Sequence, residues 1–184
     1  YIVVSEAAGA TEAMKLLKEN PPQLVIVDLT LTEGSGLQLI KRIHTHDSTI
    51  KILVASMHDD MIYAERTLRA GAHGYINKEQ AASKLIGAIE DVMRGSIYLS
   101  QEVATHIVQR RTHRDDRVLE RPEEILTDRE LEVFTLLGKG FSSKEIADQL
   151  CLSPKTVDSH RDHIKKKLGI EKHSVLMQRA VVWT

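Results

Sequence analysis

The 184-residue sequence holds one cysteine, Cys151, so no disulfide can form within the chain and a reduced, cytoplasmic setting is expected. It has no arginine-flanked apolar stretch that reads as a signal or membrane span, so no membrane partner is expected. A surplus of positive charge is missing too. The 25 Lys and Arg against 26 Asp and Glu give a net charge of −1, so any nucleic-acid-binding face has to be a local patch. The nine histidines are scattered without metal-ligand spacing, and even His160 and His163 lie among lysines, so no zinc site is expected. Cys151 reads as a small packing residue of a turn. What the chain does have is enough apolar residues, 42%, for cores, and a length that suits two small domains.

The last third is the most informative stretch. Thr127 followed by Glu130, and Ser142 followed by Glu145, each spell a capping box and so start a helix. Ser153-Pro154 starts a third, which can run to Leu168 with Gly169 just beyond its end. Only Cys151, Leu152 and Ser153 separate the second helix from the third, the spacing of a helix-turn-helix whose third helix reads a major groove. That helix carries Lys155, Arg161, Lys165, Lys166 and Lys167 against Asp158 and Asp162. Lysines at a helix C-terminus can also simply offset the macrodipole. Caps, turn and charge together favour double-stranded DNA, with phosphate contacts supplying affinity and base-edge contacts supplying sequence choice.

The runs Leu126-Thr127-Asp128-Arg129-Glu130-Leu131-Glu132-Val133, Lys144-Glu145-Ile146-Ala147, Ser153-Pro154-Lys155-Thr156-Val157 and Lys167-Leu168-Gly169 resemble the LuxR-type helix-turn-helix domain. The resemblance implies that Lys155, Thr156, Asp158, Ser159 and Asp162 face DNA and that Lys144 meets the backbone; Lys165 and Lys166 join them from the helix's charge. Two of these positions are acidic here. A closing helix over about Ser174 to Trp183 resembles the family's dimerisation helix, although Val175, Leu176, Val181 and Val182 could equally complete a small core.

In the first hundred residues, Tyr1 to Ser5, Leu24 to Val27 and Ile52 to Ala55 read as strands, with Gly74 to Ile76 a weaker fourth. The spacing predicts helices over about Ala10 to Glu19, Gly36 to His44, Met61 to Ala70 and Ala82 to Met93, the last with Leu85, Ile89 and Val92 as its buried stripe. Alternation of this kind implies a parallel sheet covered on both faces, with function at the carboxyl ends of its strands. Asp28, Ser56 and Lys78 fall there. A carboxylate, a hydroxyl and an ammonium at one edge suit phosphoryl chemistry. Singly, Asp28 and Ser56 could be turn or cap residues and Lys78 a surface charge.

Leu24-Val25-Ile26-Val27-Asp28-Leu29, Gly36-Leu37, Ile52-Leu53-Val54-Ala55-Ser56 and Gly71-Ala72-His73-Gly74-Tyr75-Ile76-Asn77-Lys78 resemble the receiver domain of two-component response regulators. With a LuxR-type partner domain the whole is similar to the NarL/FixJ class. The resemblance implies that Asp28 accepts a phosphoryl group from a sensor histidine kinase, that Ser56 and Lys78 contact it, and that Tyr75 reports the change; Tyr75 could also be a half-buried packing aromatic. Thr32 stands where the family has proline, a change expected to loosen the loop. Tyr1 matches the family's second strand. The first strand, the first helix and the acidic pair that helps hold Mg²⁺ are therefore not in this sequence, which reads as a fragment or incomplete chain, or a natural truncation. Asp28 and the backbone carbonyl of Thr30 are too few protein ligands for a confident Mg²⁺ site. An N-terminally incomplete sheet would expose an apolar edge.

The expected architecture is thus a flavodoxin-like, receiver-type α/β domain over residues 1–100, a linker over 101–123 and a four-helix helix-turn-helix domain over 124–184. The linker carries Arg110, Arg111, Arg114, Arg117 and Arg121 with Asp115 and Asp116, a solvated composition, while Val103, Ile107 and Val108 give its first part helical character. The expected function is a phosphorylation-controlled transcription regulator that binds DNA as a homodimer, with no enzymatic content beyond its own phosphorylation and dephosphorylation. The alternative is a phosphorylation-independent DNA-binding regulator whose degenerate receiver serves dimerisation or protein interaction. An aspartyl-phosphate phosphohydrolase would need a second aspartate two residues after the nucleophile, and position 30 is threonine.

Overall fold

In the computed structural model the described residues are 1–112 and 122–184, and the chain divides into two compact units, Tyr1–Arg114 and Asp115–Thr184. Arg114, Asp115, Asp116, Arg117 and Arg121, read above as connector charges, lie outside the described residues, as do the side chains of Arg110 and Arg111.

The first unit alternates α1 (Ala10–Glu19), β1 (Leu24–Val27), α2 (Gly36–His46), β2 (Lys51–Ser56), α3 (Asp60–Arg69), β3 (Gly74–Asn77), α4 (Lys78–Met93) and α5 (Gln101–Thr112). The strands form a parallel sheet in the order β1-β2-β3. The central strand is apolar without alternation, and Ile52, Leu53 and Val54 are fully buried, as a parallel strand covered on both faces requires. Ala88, Ile89 and Val92 of α4 pack against Leu53, Ala55 and Ile76, with Leu85 at the margin of the cluster. On α2, Leu37, Ile40 and Ile43 form the buried stripe.

The weaker strand expected at Gly74 to Ile76 is present as β3, whereas the strand expected over Tyr1 to Ser5 is corrected. Tyr1–Ser5 has no regular structure, and Tyr1, Ile2 and Val3 are 75–89% exposed. In the 2-1-3-4-5 strand order of flavodoxin-like sheets, a second strand pairs only with the first, and no first strand is present among these residues to supply its ladder. Among the described residues β1 is an edge strand, and its Ile26 is 44% exposed. Helix α4 also begins four residues before the expected Ala82, because the Asn77 side chain accepts from the Glu79 N–H at 2.9 Å and caps the helix there. Part of the stretch read as connector is helical: α5 buries Val103 and leaves Val108 exposed.

In the second unit a short turn, α6 (Pro122–Ile125), precedes α7 (Asp128–Gly138), α8 (Ser143–Gln149), α9 (Pro154–Lys167) and α10 (His173–Trp183). Both capping boxes form, and the Ser153 hydroxyl accepts from the Thr156 N–H. Leu131, Phe134, Ile146, Val157, Ile164 and Leu176 are fully buried. A Cβ at Gly138 would lie 2.5 Å from the Ala180 carbonyl, so glycine lets α7 and α10 meet closely. Leu176 of α10 belongs to this core, whereas Val175, Val181 and Val182 are exposed. Cys151 is corrected from a packing residue to an exposed one, at φ +52° in the turn that swings the chain from α8 into α9.

Candidate functional site

The parallel register aligns Val27 with Val54 and Ser56 with Asn77, so Asp28, Ser56 and Lys78 leave three adjacent strands at one edge. Lys78 Nζ lies 2.6 Å from Asp28 Oδ2. The other carboxylate oxygen, Oδ1, accepts from the Thr30 N–H at 3.1 Å. Gly36 allows this geometry, because a Cβ there would sit 2.2 Å from the Asp28 carbonyl and 2.5 Å from Leu29 Cα. Only glycine lets α2 start so close to the end of β1.

Ser56 is fully buried, and its hydroxyl accepts from the His58 N–H at 3.2 Å. It does not cap α3; the Asp59 side chain does. Tyr75 is 2% exposed rather than half-buried, and its hydroxyl donates to the His58 carbonyl at 2.8 Å. Burial pushes the Tyr75 phenol pKa up, so it remains a donor at all ordinary pH. The His58 ring completes the chain of contacts: its Nε2 is 3.2 Å from the Thr30 hydroxyl, and the ring packs against Tyr63 with centroids 4.9 Å apart. His58 escaped the sequence reading, although it stands two residues past Ser56 as Thr30 stands two past Asp28.

Thr32 ties its loop down rather than loosening it. Its N–H and its hydroxyl both donate to the Ala8 carbonyl, at 3.1 and 2.8 Å, and proline has neither donor. The Thr11 hydroxyl adds a bond to Glu33 at 3.0 Å. The loop after Asp28 is thereby anchored to the start of α1.

In the second unit the residues expected at DNA lie on or beside α9. The Thr156 hydroxyl pairs with Ser153 at 2.8 Å, and the Ser159 hydroxyl donates to the Lys155 carbonyl at 3.0 Å. Lys165 pairs with Asp162 at 2.8 Å, holding that carboxyl below its usual pKa. Arg161 pairs with Asp158. Lys144, Lys155 and Lys166 form no ion pair among the described residues, so their charges are available to phosphates. Lys167 turns inward and meets the buried Glu130 at 2.6 Å. Burial raises the Glu130 pKa, but Lys167 and the Thr127 bonds outweigh it and hold it below the ordinary carboxylate value.

Residues 1–90 match the response regulator receiver domain family, and residues 124–180 match the luxR family of bacterial regulatory proteins. Over 183 residues the chain is 37% identical to the oxygen regulatory protein NreC of Staphylococcus carnosus (strain TM300), covering 97% of this chain and 84% of that protein. The chain belongs to the two-component response regulators with a LuxR-type output domain. NreC of Staphylococcus haemolyticus (strain JCSC1435) is similar at 36% identity over the same shares. A crystal structure of a LuxR-family response regulator from Aurantimonas sp. SI85-9A1 superposes with a TM-score of 0.56 at 35% identity, covering 61% of this chain and 81% of that one. RcsB from Salmonella enterica serovar Typhimurium, bound to promoter rprA in the presence of phosphomimetic BeF₃⁻, superposes at 0.58 with 25% identity over 96% and 84%.

As a response regulator the protein is a phosphorylation-controlled, DNA-binding transcription regulator, and its family is not one of enzymes. Receiver domains of this family typically bind Mg²⁺. Among the described residues the Asp28 carboxylate, paired with Lys78, and the Thr30 carbonyl are the donors that would hold it, fewer than a hard cation usually takes. No group of three acidic, His or Cys side chains that could hold a metal occurs among the described residues. Among them, too, no helix is long and apolar enough to cross a membrane.

Proposed function

We propose that Asp28 is the phosphoacceptor, and that its phosphorylation by a sensor histidine kinase controls binding of double-stranded DNA by α9 in a cytoplasmic homodimer. The observation that supports this best is the 2.6 Å approach of Lys78 to Asp28 at the carboxyl ends of three parallel strands. An Asp28 carboxylate oxygen attacks the phosphorus, a P–O bond forms, and the bond to the donor's imidazole nitrogen breaks. Lys78 offsets charge on the transferred oxygens, and the Ser56 hydroxyl donates to one of them. Tyr75, bonded to the carbonyl two residues past Ser56, carries a change at Ser56 into the core. At the DNA, Lys144, Lys155, Lys165 and Lys166 meet phosphates, while Thr156, Asp158, Ser159 and Asp162 occupy the part of a recognition helix that reaches base edges.

The test is salt-dependent DNA binding by the chain with and without a stable phosphoryl mimic, beside Asp28→Asn. A response in the unsubstituted chain that Asp28→Asn abolishes is expected. Equal binding under all four conditions would leave the receiver a phosphate-independent interaction module and remove the role of Asp28. Alanine at Lys144, Lys155 or Lys166 is expected to reduce the slope of log K against log salt by about 0.9 each.

A further inference from the structure

The carboxylate of Asp158 is held by two side chains, Ser143 and Arg161, the second of which is itself braced by His173. Its Oδ1 accepts from the Ser143 hydroxyl at 2.9 Å and from Arg161 Nη1 at 3.1 Å. Arg161 also donates to the Ser143 hydroxyl and approaches the ring of His173, with Nη2 2.6 Å from Nε2. Ser143 is on α8, Arg161 on α9 and His173 on α10, so packing of the unit, and not one helix alone, fixes this group. All of these bonds to Asp158 fall on Oδ1. Oδ2 makes none among the described residues, and the Asp158 side chain is 59% exposed. Arg161, only 19% exposed, offsets the carboxylate's charge and so weakens the repulsion a bare aspartate would meet beside phosphates.

The neighbours differ. The Thr156 and Ser159 hydroxyls are engaged within their own helix or its cap, and Asp162 pairs with Lys165 of the same helix, its side chain 65% exposed. Asp158 alone among the four is anchored from another element. It is the fifth residue of α9, in the N-terminal half that meets base edges in a helix-turn-helix.

We propose that Asp158 is a specificity-determining residue that selects cytosine at one position of the DNA site, its free Oδ2 accepting from the exocyclic N4 amino group in the major groove. This rests on the DNA-reading role given to α9 above. Guanine O6 and thymine O4 are acceptors and offer an anchored carboxylate no proton. Adenine offers N6, but its adjacent N7 is a further acceptor that aspartate cannot satisfy. Pre-organisation by Ser143 and Arg161 favours one orientation of the carboxylate, so less freedom is lost when Oδ2 takes up a donor.

The experiment is selection from a random double-stranded library by the full chain, with Asp158→Asn, Asp158→Ala and Ser143→Ala in parallel and thermal melting as a check on folding. The unsubstituted chain is expected to enrich cytosine at one position by about ten-fold or more over thymine. Asp158→Asn moves the preference at that position to adenine, which an amide engages at both N6 and N7. Asp158→Ala flattens that position and leaves the others, and Ser143→Ala lowers the preference without changing the base. Unchanged preferences in Asp158→Ala, or cytosine retained in Asp158→Asn, overturn the proposal. So does loss of all DNA binding by both variants at wild-type melting temperature, which would make Asp158 a docking support. Failure of the unsubstituted chain to enrich any sequence would sink the DNA-reading role itself, a result distinct from these.

Discussion

Two lysines of this chain meet carboxylates at the same 2.6 Å, and their surroundings give the pairs different work. Lys78 and Asp28 are 42% and 28% exposed, so water competes with the pair and its contribution to stability is about 0–1 kcal/mol. Lys78→Ala is therefore expected to leave the melting temperature nearly unchanged while abolishing the DNA-binding response to a phosphoryl mimic; a large loss of stability would make the pair structural. Lys167 instead reaches Glu130, whose side chain is only 5% exposed. Removing the ammonium strands a buried carboxylate that retains only its Thr127 bonds. Lys167→Ala is expected to destabilise the second unit by about 1–3 kcal/mol, read as a shift in its urea midpoint.

At the scale of elements, helix starts were the most legible feature, because a cap is a local code: Thr127, Ser142 and Ser153 each bond backbone within three residues. Asn77 follows the same rule, but the strand before it masked the signal. A strand has no such autonomy. Tyr1–Ser5 has the composition of a strand, yet its ladder depends on a neighbour that composition cannot supply. The placement of Asp28, Ser56 and Lys78 at one sheet edge was legible because each immediately follows or ends a strand. That of His58 was not, since its partner Thr30 is 28 residues away and only the register of β1 and β2 brings them together. Proline at position 32 would stiffen the loop through its ring, whereas threonine holds it through two donors whose acceptor, the Ala8 carbonyl, is 24 residues away in the chain. The junction of β1 and α2 has the least room. Gly36→Ala puts a Cβ 2.2 Å from the Asp28 carbonyl, and because the obstacle is backbone, the strand end or the helix start has to move. A loss of about 2 kcal/mol or more, measured by thermal melting, is expected together with a weakened response to the phosphoryl mimic.

Across the whole molecule, three histidines share a bias toward the neutral form. Burial lowers the pKa of His73, assisted by Lys51 and His44; of His160, assisted by Arg129; and of His173, assisted by Arg161 and Lys165. His73 Nδ1 also accepts from the Ile52 N–H at 3.2 Å, a bond that a protonated ring cannot make. Below about pH 6.5 the unfolded chain therefore binds more protons than the folded one at these sites, and their contribution to stability falls as pH drops toward the lowered values. Melting temperature is expected to fall between pH 7.5 and pH 5.5; an unchanged or higher value at pH 5.5 would contradict this balance.

The turn between α8 and α9 has an experimental consequence. Cys151 is the only thiol in 184 residues, and it is exposed. A maleimide dye or nitroxide would therefore attach once per chain, three residues before α9, with no engineered substitution. In a homodimer on DNA the two labels would act as a ruler between the two recognition helices, whose spacing has to approach one helical repeat of the duplex, roughly 34–36 Å, or a multiple of it.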